Sequence, residues 1–112
     1  MDKLIEYRIE VAIGRVITTA LKRDLDEDTY LSFESKELKL FIASTLIQVL
    51  AQPFVADVYQ HVKDAILEKG NDYGVVLKEE DTRKMFDDTY RILATENKID
   101  ESWTINWKPD EK

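Results

Sequence analysis

Apolar residues recur at helical spacing in four stretches of the chain, and each stretch predicts a helix. The most apolar stretch is LKLFIASTLIQVLA at 38–51, whose hydrophobic positions cover more than half of a helical wheel. A surface helix needs an apolar face only somewhat wider than about 100°, so this helix must be covered from at least two sides. The predicted helices span residues 3–22, 33–51, 54–69 and 79–97.

The segments outside these helices predict short connections and an ordered tail. Residues 24–32 are rich in carboxylates and form the first connection, and 71–78 form a later one with a short extended piece. At the C-terminus, WTINW alternates apolar and polar residues, which predicts an extended tail at 102–107. The tail packs on the helices, pairs with 73–77 as two short strands, or docks on a second subunit. The expected fold is all-α, a single mainly helical domain over 1–112 with four helices.

Glycine, proline and serine mark the expected helix boundaries. Gly70 follows the third predicted helix as a C-cap, and Pro53 either starts that helix or kinks a continuous one. Ser32 is the expected N-cap of the second predicted helix. Gly14 lies inside the first predicted helix, where it costs about 1 kcal/mol against alanine but allows another helix to approach closely.

Charge and composition exclude several functional classes. The net charge of −7 argues against non-specific nucleic-acid binding, which depends on Lys and Arg at phosphates. Cysteine is absent, which removes disulfides, thiolate metal sites and a cysteine nucleophile. The longest apolar run, about 14 residues, falls short of the roughly 20 that a membrane span needs, and the N-terminus does not read as a signal peptide. These features predict a soluble cytoplasmic protein without direct contact to nucleic acid or membrane.

The acidic connection carries the strongest motif in the chain. Asp24, Asp26 and Asp28 occupy the first three ligand positions of an EF-hand calcium loop. Thr29 stands where the motif has its turn glycine, and Ser35 replaces its bidentate glutamate. The motif is therefore incomplete in two of its defining positions.

A second partial match lies in the connection between the last two predicted helices. Counted from Lys69, the residues Asn71, Gly74 and Glu80 fall at suitable positions, whereas Lys69 and Tyr73 do not suit the ligand positions they occupy. Together the two loops resemble a degenerate EF-hand pair, as in pseudo-loop calcium-binding proteins. That resemblance implies weak Ca²⁺ binding by the three aspartates of the first connection. The alternative interpretation is two solvated acidic turns and no cofactor.

Other residue types offer little for catalysis. His61 is the only histidine, and with Asp57 and Asp64 one turn away it fits either half a metal site or a hydrogen-bonded residue at the edge of the apolar face. No serine stands in a nucleophile motif. The three glycines do not form a phosphate-binding loop. The chain is therefore not expected to be an enzyme.

Aromatic and acidic residues in unusual places predict contact with another molecule. Phe41 lies on the narrow polar face of the second predicted helix, where a neighbouring segment covers it or a partner binds it. Trp103 and Trp107 share one side of the predicted tail, and Asp87 and Asp88 form an acidic pair. These five residues are the expected partner-binding set.

Together these features predict a small acidic, non-catalytic protein-binding module that regulates or inhibits a larger partner. Carboxylates steer association with a basic surface, so the expected partner is a basic or nucleic-acid-binding protein. Aromatic side chains supply the energetic hot spots of such interfaces. One alternative is a structural protein that assembles as a helical homo-oligomer such as a dimer, because a wide apolar face in a small chain suits self-association. The other is a calcium-binding protein of the degenerate EF-hand kind.

Overall fold

The computed structural model describes residues 3–33, 36–96, 98–100 and 103, and within these ranges the fold is all-α, as predicted. The described ranges contain no strand, and 75–78 connects two helices without pairing. The predicted tail at 102–107 lies outside the described residues apart from Trp103. The helices are α1 (Lys3–Asp24), α2 (Glu27–Leu31), α3 (Lys36–Leu50), α4 (Ala56–Asp72) and α5 (Glu79–Thr95).

Helix α3 is the centre of the core. It contacts α1, α4 and α5, so its wide apolar face is covered from more than one side, as the sequence required. α1 also packs along α5, and α4 closes the remaining side against α3 and α5. The side chains of α3 that are fully buried lie one or two turns apart, as expected for a helix face: Leu38, Ile42, Leu46 and Leu50.

The short helix α2 occupies the acidic connection, where the sequence predicted a loop. The Asp26 carboxylate accepts a hydrogen bond from the Thr29 N–H at 2.9 Å, which caps the helix and satisfies one of its free backbone donors. Ser32 ends α2 instead of capping α3, and its hydroxyl donates to the Thr29 carbonyl. The expected N-cap role of Ser32 is therefore wrong.

Helix α4 ends after Gly70, at Asp72, because the chain turns at a different glycine. Gly74 has φ of 80°, a conformation that favours glycine. Gly70 is buried inside the helix, and a methyl group there would lie 2.9 Å from Leu77 Cδ1 and 3.0 Å from the Val75 carbonyl oxygen. The C-cap prediction for Gly70 is wrong, since this glycine makes room for the segment that follows the turn.

A polar cluster joins the end of α1 to the start of α5. Asp81 is 6% exposed and accepts hydrogen bonds from both terminal nitrogens of Arg23, at 3.2 and 2.8 Å. The same carboxylate accepts the Lys78 N–H at 2.8 Å, and Arg23 also donates to the Val76 carbonyl. The hydrogen bond with Asp81 raises the pKa of Arg23 above its ordinary value. The cluster fixes α1, the connection before α5 and the first turn of α5 to one another.

We expect Gly70→Ala and Gly14→Ala to change stability in opposite directions, although both replace a helical glycine. Gly70→Ala lowers the free energy of unfolding by about 1–3 kcal/mol, because the added methyl group displaces Leu77 and the Val75 backbone. Gly14→Ala raises it by about 0.5–1 kcal/mol, because alanine favours helix and the only close atom belongs to the flexible Lys39 stem, at 3.3 Å. Urea denaturation measures the free energy of unfolding of both variants. Equal changes in the two variants would contradict the close packing at Gly70.

Removing the Asp81 carboxylate is expected to destabilise the fold by about 1.5–3 kcal/mol, because Arg23 and the Lys78 N–H lose a charged hydrogen-bond acceptor. The variant is Asp81→Ala, and its matched control is Glu80→Ala, whose exposed carboxylate lies 3.7 Å from the same arginine. The control is expected to change stability by less than about 1 kcal/mol, as for surface ion pairs. Thermal and urea unfolding of both variants tests this difference. Similar losses in the two variants would contradict the role of Asp81.

Candidate functional site

Of the acidic pair on α5, Asp87 is buried and Asp88 is partly exposed. Asp87 is 3% exposed, and its Oδ1 lies 3.4 Å from Nε of Arg83 in the preceding turn. Asp88 is mostly covered, and its Oδ1 lies 2.8 Å from Lys84 Nζ and 3.8 Å from Arg91 Nη1. These pairs follow the spacing at which side chains meet on a helix. Asp87 is therefore too buried to contact a partner directly, which corrects its prediction as a partner-binding residue. The partner-binding role of Asp88 stays a prediction.

The acidic first turn of α5 is also neutralised by nearby cations. Glu79 Oε1 lies 3.2 Å from Lys63 Nζ, and Glu80 Oε1 lies 3.7 Å from Arg23 Nη1. Asp81 is the buried acceptor of Arg23 described above. The run 79–81 thus carries much less free negative charge than its sequence indicates.

Phe41 lies at the surface of α3 beside the last turns of α4. Its side chain is 37% exposed, and Lys69 Nζ lies 4.9 Å from the ring centroid. The same ammonium lies 5.8 Å from the ring of Tyr73, whose hydroxyl donates to Glu37 Oε2 at 2.9 Å. This hydrogen bond raises the pKa of Tyr73 above its ordinary value. Phe41 is thus partly covered by α4, and the remaining third of its surface is accessible.

Trp103 is a core residue. It is fully buried, its indole N–H donates to the Gln52 carbonyl, and its ring meets Phe54 edge to face with centroids 4.6 Å apart. An aromatic pair of this kind adds about 0.5–1.5 kcal/mol beyond its buried area. The prediction of Trp103 as a partner-binding residue is corrected, since the side chain closes the end of the core near the α3–α4 turn. Trp107 lies outside the described residues.

The three aspartates of the EF-hand resemblance have separate surroundings. Asp24 ends α1, with Oδ2 3.9 Å from Arg23 Nε, and Asp28 is exposed on α2. Asp26 caps α2, and its hydrogen bonds from Thr29 hold the pKa of Asp26 below its ordinary value. A helical turn thus replaces the ligand-bearing loop. Nowhere in the part of the chain that the structure describes do three or more His, Asp or Glu side chains form a group that could hold a metal ion.

Helix α2 presents an exposed surface that is both acidic and apolar. Leu31 is 67% exposed, and Glu27 and Asp28 lie on the same side one turn earlier. Neither carboxylate has an ion pair or hydrogen bond with another described residue. We call these three residues the α2 ridge. They form an apolar side chain bordered by two unneutralised charges.

The α2 ridge is held away from the core because a different residue of α2 attaches the helix to the domain. Tyr30 is half-buried against the core, and Lys22 Nζ of α1 lies 5.6 Å from its ring centroid. No residue of α2 is fully buried. Helix α2 could have been predicted from Asp26, because aspartate favours the N-cap position of helices.

Comparisons with protein-family models, with curated proteins and with solved structures find no match to this chain. None of the helices in the described ranges is both long and apolar enough to cross a membrane. The geometry of exposed side chains is therefore the basis for assigning a function.

We expect Asp87→Lys to destabilise the fold by about 3–5 kcal/mol, because it places an unpaired cation at a buried position beside the partly buried Arg83. Asp88→Lys is the matched control on the adjacent residue, and it loses only partly exposed ion pairs, with an expected cost of about 0–1 kcal/mol. Circular dichroism during urea denaturation compares the two variants. A stable, fully folded Asp87→Lys variant would show that Asp87 is accessible.

Proposed function

We propose that this chain is a non-catalytic protein-binding module that docks the α2 ridge on a basic surface of a larger protein. The observation that carries the proposal is the position of Leu31, which is 67% exposed beside two carboxylates that form no ion pair or hydrogen bond with another described residue. An apolar contact bordered by polar groups is the usual arrangement of a protein interface. Helix α2 supplies this arrangement on one exposed helical turn.

Charge supports a basic partner. The carboxylates of α5 lie near cations of α1, α4 and α5, whereas Glu27 and Asp28 form no ion pair with another described residue. The chain has a net charge of −7, so its field attracts a positively charged surface and accelerates association with it. A nucleic-acid-binding protein carries such a surface, because phosphate binding depends on lysine and arginine. By occupying that surface, the module would regulate or inhibit its partner.

Self-assembly into a homodimer is the second candidate. Large apolar side chains are exposed on α1 and α3, with Leu4 at 65%, Tyr7 at 63% and Leu40 at 40%. Burial of such residues between two copies would contribute about 25 cal/mol per Å² of apolar area removed from water. Light scattering at low and high salt separates the two candidates, since an apolar dimer persists at high salt and a docked basic partner dissociates.

Binding to a basic partner is expected to require the charges of the α2 ridge. The wild-type chain and the double variant Glu27→Lys with Asp28→Lys are each immobilised and used to capture proteins from a lysate of the source cells. We expect its recovery of a salt-sensitive basic partner to fall at least about tenfold, because two steering carboxylates become repulsive cations. A Leu31→Ser variant tests the apolar contact separately, and quantitative mass spectrometry measures the recovery.

The matched control is Glu68→Lys with Asp72→Lys, which makes the same change in net charge at exposed positions on α4. This control is expected to capture the partner almost as well as wild type. Its only loss in recovery should be the small one caused by the change in net charge. The proposal is wrong if the wild-type chain captures no basic protein. It is also wrong if the α2 and α4 variants capture the partner equally well.

A further inference from the structure

Helix α1 carries a second line of apolar and small residues on the side opposite the core. Leu4 and Tyr7 are mostly exposed, Val11 is partly exposed, and Gly14 and Thr18 continue the line. Their spacing alternates three and four residues, so they follow one face of the helix over about 21 Å. This is the pattern with which one helix packs along another in a coiled coil. We call these five residues the α1 stripe.

The surface beside the α1 stripe is concave. A cavity of about 520 Å³ opens over Gly14 and Thr18 and reaches α3. Another of about 320 Å³ lies beside Tyr7 and Val11 and reaches α5. In a coiled coil, side chains of one helix enter hollows of this kind in the other. The α1 stripe therefore offers both the apolar line and the hollows that helix packing requires.

Unpaired charges of opposite sign lie on the two sides of the α1 stripe. Glu6 and Glu10 line a cavity between α1 and α3, and neither forms an ion pair with another described residue. Arg8 and Arg15 line the cavity on the α5 side. Arg8 Nη1 lies 3.5 Å from Glu96 Oε1, whereas Arg15 pairs with no carboxylate in the part of the chain that the structure describes. One side of the stripe thus supplies carboxylates and the other supplies an available cation.

We propose that the α1 stripe packs against the α1 stripe of a second copy of this chain, with the two helices parallel. In a parallel pair related by a two-fold axis, the α3 side of each helix meets the α5 side of the other. Glu10 of each copy then lies beside Arg15 of the other, at flanking positions that form salt bridges in parallel coiled coils. A second copy is the occupant that these charges select, because one surface supplies both members of a pair that forms twice.

Antiparallel packing of the same stripe matches the charges less well. It turns the α5 side of each copy toward the α5 side of the other, so that Arg15 meets the arginines of the second copy. Like charges across an interface oppose association. Only Lys39, which borders the stripe on α3, would gain Glu10 of the second copy in this arrangement. The orientation is therefore tested directly below.

This inference rests on the homodimer candidate described above and adds to it the surface and the orientation. It uses no residue of the α2 ridge, so a dimer can still dock that surface on a basic partner. The stripe spans only two heptads, which is short for a coiled coil. We therefore expect a monomer–dimer equilibrium that shifts toward monomer on dilution.

Sedimentation equilibrium of the purified chain measures the dissociation constant of the dimer. Tyr7→Ser is expected to weaken the dimer at least about tenfold, because the stripe loses its aromatic side chain. The matched control is Val76→Ser, since Val76 is exposed to a similar extent, 56% against 63% for Tyr7, but lies outside the stripe. The control is expected to dimerise as tightly as wild type.

Reversing the flanking charges tests the proposed pairs. Glu10→Lys and Arg15→Glu are each expected to weaken the dimer about tenfold, because each places like charges in both pairs. The double variant with both changes is expected to associate as wild type does, since the pairs form again with reversed signs. Net charge alone would have the opposite effect in Glu10→Lys, because the chain is acidic. Glu68→Lys makes the same change in net charge on α4 and is expected not to weaken the dimer.

Disulfide cross-linking tests the orientation, because the wild-type chain contains no cysteine. Parallel packing brings the thiols of a Thr18→Cys variant together across the two-fold axis, within reach of a disulfide. Antiparallel packing with Tyr7 opposite Thr18 would separate these positions by about 16 Å along the helix. We expect an interchain disulfide on mild oxidation of Thr18→Cys. None is expected with Gln60→Cys, an exposed position on α4, which does not pack on α1.

The α2 variant Glu27→Lys with Asp28→Lys is expected to dimerise at least as well as wild type, so this inference and the α2 proposal fail separately. Circular dichroism verifies that each variant is folded. The inference is overturned if the wild-type chain stays monomeric at the highest concentration at which it is soluble. A dimer that Tyr7→Ser leaves intact would keep the homodimer candidate and overturn this interface. Failure of the double charge reversal to restore association, or absence of the Thr18→Cys cross-link, would overturn the parallel arrangement.

Discussion

The burial of the apolar face of α3 is the constraint on which the rest of the fold depends. Leu38, Ile42, Leu46 and Leu50 are fully buried, and a face of this width cannot be covered by one neighbour. α1, α4 and α5 therefore all pack on α3. α1 and α5 also pack directly against each other, so the core is continuous across the three helices.

Charges are divided between those that hold the domain together and those that remain available. The Arg23–Asp81 cluster joins α1 to α5, and the later carboxylates of α5 are matched by cations of the same helix. Glu27 and Asp28 form no ion pair with another described residue, so negative charge remains available on α2.

Helical periodicity in the sequence predicted α1, α3, α4 and α5 because each buries a repeating face. It missed α2, which is too short for a repeat and is marked only by Asp26 as an N-cap. Asp87 was predicted at a partner surface from the acidic pair and Trp103 from the alternating tail pattern, and both side chains are buried. Their burial depends on contacts that sequence spacing does not contain, such as those of Trp103 with Gln52 and Phe54. The exposure of Leu31 likewise depends on Tyr30 being the residue that packs.

Native-state hydrogen exchange tests the central claim most directly, namely that α2 is attached to the core without being part of it. Amides in the middle of α3 are predicted to exchange only through global unfolding, at a rate that falls as the free energy of unfolding measured in denaturant rises. Amides of α2 are predicted to exchange through local opening that does not depend on that stability. If the α2 amides were protected as strongly as those of α3, α2 would belong to the cooperative core, and its role as a free docking surface would be contradicted.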